Sequence, residues 1–158
     1  MSQTQVFHIT ESASGFGWFT IIAVAVIVVV AGAMILAAYS IYGGKHARFE
    51  VSTQGLHIHG GLYGRLIPLD HLNLDGARIV NLELEPQLKP SSRRNGTSMP
   101  GLKVGWFRLR NGEKGYCFLT DLSRVVYVPT IDGFSVLMSV DDPAALLDAL
   151  RSVVLGYS

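Results

Sequence analysis

The hydrophobic pattern of the chain has two regimes: one uninterrupted apolar run, then a series of short alternating segments. From Phe16 to Tyr42 there is no Asp, Glu, Lys or Arg. An apolar run beyond about 18 residues reads as a bilayer span, because in hydrocarbon a lone segment satisfies its own backbone hydrogen bonds only as a helix. At about 1.5 Å per residue this stretch makes a helix of roughly 40 Å, against a hydrocarbon core of about 30 Å. Its ends must therefore tilt or rest in the interface. Trp18 and Phe19 at one end, and Tyr39 and Tyr42 at the other, suit the headgroup level.

Beyond the run, alternation and glycine-centred turns predict strands. Arg48–Thr53 precedes Gln54-Gly55, Leu56–His59 precedes Gly60-Gly61, and Leu62–Ile67 stops at Pro68. Asp75-Gly76 opens a segment Ala77–Leu84; Val104–Arg110 meets Asn111-Gly112, and Val125–Pro129 reaches Asp132-Gly133 before Phe134–Val140. Asn-Gly and Asp-Gly supply the positive φ angles that tight hairpins demand. Tyr116–Leu119 reads as a further strand, whereas the polar stretch Lys89–Ser98 reads as a long exposed loop. The period then changes. Asp142 is placed to cap a helix, Pro143 suits its first turn, and Leu146, Leu147, Leu150, Val153 and Val154 share one face before Gly156.

Together these elements predict an N-terminal transmembrane α-helix followed by a mainly-β domain. Seven or eight antiparallel strands would form a small open barrel or sandwich, capped by one C-terminal amphipathic helix. The expected organisation is a short extracytoplasmic segment at 1–15, the transmembrane helix at 16–42, and one domain at 43–158 with its core at 47–155.

Charge gives the span a direction. All 13 Lys and Arg residues follow it, with Lys45 and Arg48 immediately after, whereas residues 1–15 carry Glu11 alone. The positive-inside rule then puts the N-terminus outside and the C-terminal domain in the cytoplasm, as a single-pass protein of the inner or plasma membrane. A cleaved signal peptide would want a basic start and a shorter apolar core, and both are missing. Cys117 is the single cysteine, so no internal disulfide forms, which fits a reducing compartment.

Three short motifs carry a resemblance: Arg65-Leu-Ile-Pro68 closing an early strand, Pro100-Gly101 followed by Gly105-Trp106-Phe107 opening a middle one, and Ser139-Val-Asp-Asp-Pro143 leading into the last helix. In their order, spacing and strand-to-helix layout, residues 47 to 150 resemble the bacterial pleckstrin-homology-like (PH-like) domain proteins of the small membrane-anchored type. The resemblance implies a PH-like fold and a binding or assembly role without catalysis. Eukaryotic relatives that hold phosphoinositides have a basic first hairpin; here the corresponding turn, Thr53-Gln54-Gly55-Leu56, has no Lys or Arg. That departure argues against inositol-lipid recognition.

The strongest surface signal is a basic middle segment. Residues 86–115 hold Lys89, Arg93, Arg94, Lys103, Arg108, Arg110 and Lys114 against Glu113, whereas residues 116–158 are acidic in balance. A basic patch beside an anionic leaflet gains about 1 kcal/mol per Lys or Arg that comes near the surface. Lys89, Arg93, Arg94, Lys103, Arg108 and Arg110 are therefore the expected ligand-binding residues, for anionic lipid headgroups or a membrane protein partner. The bland alternative is a solvated loop and strand face. A second functional class is a structural subunit that self-associates as a homo-oligomer or scaffolds a membrane complex.

Other chemistry finds less support. His57 and His59 share a strand face as a metal pair would, but alternation with Leu56 and Ile58 already explains them, and no metal or other cofactor is expected. Trp106 with Arg108 and Arg110 could stack a base, yet no phosphate-gripping glycine loop accompanies them, so nucleic acid is not expected. No hydrolase, metalloprotease or P-loop motif occurs, and Cys117 within Tyr116–Leu119 reads as a small buried thiol. Asp142 is explained as a cap, so Asp141-Asp142 is not read as a catalytic pair.

Overall fold

The computed structural model describes residues 16–45 and 47–156. The expected extracytoplasmic segment 1–15 and the interfacial side chain of Tyr42 lie outside the described residues. The chain divides into two compact units between Ala37 and Ala38, inside the N-terminal helix.

Helix α1 spans Phe16–Lys45, slightly beyond the apolar run. Its many Val and Ile residues are indifferent helix formers in water, but in hydrocarbon the backbone has no partner other than itself. Residues Gly17–Tyr39 are exposed on every side, with a mean hydropathy of 3.1, and this segment is long and apolar enough to cross a membrane. A helix that is apolar all round finds its solvent in a bilayer or a protein core.

The domain contains β1 (Arg48–Ser52), β2 (Gly55–His59), β3 (Arg65–Pro68), β4 (Arg78–Val80), β5 (Pro90–Met99), β6 (Leu102–Leu109), β7 (Lys114–Leu119), β8 (Val125–Pro129) and β9 (Phe134–Ser139), then helix α2 (Pro143–Leu155). Strands β1, β2 and β3 form one antiparallel sheet; the other runs β4-β8-β9-β7-β6-β5. The two sheets are separate, which makes a sandwich and not a closed barrel. Among the described residues nine strands replace the seven or eight expected, and β7 pairs with β9 in parallel because the β8–β9 hairpin swings round to add beside β7.

The core lies mainly between the sheets. Leu56 and Ile58 of β2 meet Val104, Phe118, Val126, Val136 and Met138 there, in a cluster that includes Leu147 and Leu150 of α2. Helix α2 packs on β1, β4 and β8, closing the sandwich where β4 ends the larger sheet. Asp142 accepts the Ala145 amide at 3.0 Å and Pro143 fills the first turn, as the sequence predicts. The outer face of the larger sheet has its own apolar layer, in which Leu82 and Leu88 cover Phe107, Leu109, Cys117 and Leu137.

Two elements depart from expectation. The segment Ala77–Leu84 gives only the short β4, because at Asn81 the chain turns: its side chain accepts the Glu83 amide and its carbonyl accepts those of Leu84 and Glu85. An Asn that satisfies neighbouring amides offers the backbone an alternative to a sheet ladder. Conversely, Lys89–Ser98 is no loop but most of β5, an edge strand with two register shifts. Its close approach to β6 needs glycine. Gly105 has φ +110, and a Cβ there would lie 2.7 Å from the Gly96 Cα and 2.5 Å from the Asn95 carbonyl oxygen.

Candidate functional site

The first turn of the domain is made by glycine geometry. Gly55 has φ +147, and a side chain there would strike the Ile67 carbonyl on β3, so the hairpin tip packs tightly. Beside it Thr53, Gln54, Leu69, Asp70 and Val154 line a cavity of about 350 Å³. Among the described residues its lining holds a carboxylate and no cation, which makes it a poor seat for phosphate.

Chemistry suited to recognition lies elsewhere, where β3 passes the open end of the sandwich. Lys114 and Phe134 are the first residues of the parallel strands β7 and β9 and are directly paired. Trp106 stands opposite Tyr116, with ring centroids 4.6 Å apart, and its ring meets Phe134 edge-on at 5.1 Å. The Arg65 guanidinium lies 5.7 Å from the Trp106 centroid and 6.0 Å from that of Phe134. A cation over an aromatic face contributes about 0.5–1 kcal/mol where exposed. Arg65, Leu66, Pro68, His71, Trp106, Lys114, Asp132 and Phe134 line a cleft of about 450 Å³. A shallower hollow, lined by Arg94, Asn95, Phe107, Trp106 and Lys114, shares the last two residues with it.

The electrostatics of the cleft follow from a few contacts. His71 Nδ1 and Asp132 Oδ2 are 2.8 Å apart, and that hydrogen bond holds the imidazole pKa above its ordinary value. Tyr116 donates its hydroxyl to the Tyr63 carbonyl, and burial pushes its phenol up to about 12, so it stays neutral. Arg65 and Lys114 have no carboxylate partner among the described ion pairs. Aromatic floor and unpaired cations make a site for a group that is anionic and partly apolar.

The structure disperses the six residues expected from the sequence. Arg94 joins the Trp106 surface, because the register shift between Arg93 and Asn95 makes it an unpaired extra residue on β5. Arg93 stands opposite Phe107 and so shares the other face of the sheet. Lys103 also belongs to that face: it pairs with Leu119 and donates to the Ser98 hydroxyl at 3.2 Å. Arg108 has the parity of Trp106, but its Nε is bonded to the Gly112 carbonyl at 3.3 Å. Lys89 and Arg110 meet through their backbones at the far end of β5, where the Arg110 amide donates to the Lys89 carbonyl. Trp106 itself faces inward with Leu102 and Val104, under Arg65 and not under Arg108 and Arg110.

Sequence reasoning about charge runs missed Arg65, whose ring partners Trp106 and Phe134 lie far along the chain; the signal was that Arg65 and Trp106 each sit in one of the motifs that carry the family resemblance. It also lacked Glu50 as a neighbour of the two histidines. Counting back from the turn at Thr53-Gln54 would have placed it, since the register sets Glu50 opposite His57. Cys117 is fully buried, and burial pushes its thiol pKa up, which keeps it protonated and unreactive.

A family model described as a bacterial PH domain matches residues 47–154, which covers every strand and nearly all of α2. Comparison with curated proteins and with solved structures found no match.

Proposed function

Because this chain belongs to the bacterial PH domain family, we propose that it is a non-catalytic binding module held at the cytoplasmic face of a membrane by α1, and that it captures an acidic segment of a membrane protein partner. The observation that carries this reading is the Trp106 cleft, in which Arg65 and Lys114 stand beside Trp106 and Phe134. Carboxylates of an acidic segment would pair with the two cations while its apolar side chains cover the ring faces. Arg94 extends the same surface. Of the other sequence-derived candidates, Lys103 and Arg93 lie on the opposite face of the sheet and Arg108 is engaged within its own hairpin.

The test uses the full chain in nanodiscs of neutral lipid and a fluorescent peptide of alternating Glu and Leu, read by anisotropy. Saturable binding that weakens at least about tenfold in R65E/K114E, and is retained in K103E, supports the reading. No saturable binding overturns it. If instead the Trp106 indole NMR signal moves only when anionic lipid replaces neutral lipid, the ligand is a headgroup. The unpaired edge of β5 supports a second reading, self-association by strand addition. Its two bulges, Pro90 and the Arg93-Arg94 pair are devices that blunt such edges. The solution mass of the detergent-solubilised chain distinguishes the two: a defined oligomer favours assembly.

A further inference from the structure

The β1–β2 hairpin presents side chains that take no part in the cleft. Glu50 and His57 are direct cross-strand partners and His59 lies two residues further along β2, so all three stand on one face. The opposite face holds Leu56 and Ile58, both fully buried, which fixes the hairpin against the core. One ligand atom from each of Glu50, His57 and His59 lies within 4.8 Å of the other two. The imidazole centroids are 4.0 Å apart, and His59 Nε2 is 3.2 Å from Glu50 Oε2.

We propose that Glu50, His57 and His59 form a binding site for a divalent transition metal, with zinc as the expected occupant. Two imidazoles and one carboxylate are the donor types that zinc takes, whereas magnesium and calcium prefer oxygen alone. Tetrahedral zinc with bonds of about 2.0–2.2 Å sets its ligands roughly 3.3 Å apart. The Glu50–His59 pair already stands at that spacing, and the His57 ligand atom is within 4.8 Å of both, a distance that a ligated site would have to shorten. A strand pair is a stiffer mount than a loop, because two spaced residues on β2 and one on β1 keep their register. The fourth position faces solvent and is open to water. Arg48, the cross-strand partner of His59, adds a nearby positive charge that opposes the cation.

The experiment is isothermal titration of zinc chloride into the full chain in detergent, with any histidine tag removed, alongside thermal unfolding with and without zinc. The site predicts one zinc per chain, a loss of affinity in H57A or H59A no smaller than the roughly 10- to 100-fold that an outer-shell partner is worth, and a smaller loss in E50Q. It also predicts a gain of a few-fold in R48A. Zinc raises the melting temperature of the parent and, at the same concentration, raises that of H57A by much less. All four positions are on the hairpin surface, and unfolding in chelator verifies that each variant folds. Equal affinity in H57A and parent, or binding removed by H71A instead, overturns the proposal.

Discussion

His71 and Asp132 show how one pair sets the chemistry at the edge of the cleft. The two are 2.8 Å apart and joined across the sandwich opening, and the hydrogen bond raises the imidazole pKa. A group whose folded pKa is raised gives stability that is fully present below its unfolded value, about 6.5, and is lost as pH rises through the folded value. Both side chains are exposed, so the effect on stability is screened, and the measurable quantity is the titration itself. In D132N the His71 resonance should titrate at lower pH than in the parent, as followed by NMR of the imidazole protons. An unchanged midpoint would mean that Asp132 does not hold the proton. Arg65 and Trp106 were visible in the sequence as parts of separate motifs. Their meeting was not, because it depends on how the two sheets stack, and no local pattern encodes that.

Helix α2 was legible to the residue, and the reason is that its signals are local. Asp142, Pro143, the spacing of Leu147 and Leu150, and Gly156 each act within one or two turns. Leu150 is fully buried, so L150A should destabilise the domain by about 2–5 kcal/mol, and D142A, which removes only the cap, by about 1 kcal/mol. Denaturant unfolding of the two variants checks the ranking; equal losses would place α2 outside the core. Strand β5 was illegible for the opposite reason. It lies at an edge, most of its residues are exposed, and two bulges break its alternation, so no period-two pattern survives. Strand β4 was overread because Val80 and Leu82 are both buried in the outer layer, although the chain has already turned at Asn81 between them.

At the scale of the whole molecule, the orientation of α1 decides what the domain can meet. The flanking charges are one-sided: Glu11 alone before the span, Lys45 and Arg48 directly after it. Positive residues next to a span resist translocation, so this asymmetry predicts a cytoplasmic side for the flank that follows α1. Only two residues separate the end of α1 at Lys45 from the start of β1 at Arg48. The chain offers a direct assay because its own cysteine, Cys117, is fully buried and silent to maleimide. In spheroplasts, a membrane-impermeant maleimide should label S12C at once. It should label L84C, which sits on an outer loop with 79% of its surface exposed, only after detergent is added. The reverse pattern would turn the molecule over and place the Trp106 cleft outside the cell. Loss of the S12C label together with a shortened chain would instead identify α1 as a cleaved signal, and the domain would then work free of the membrane.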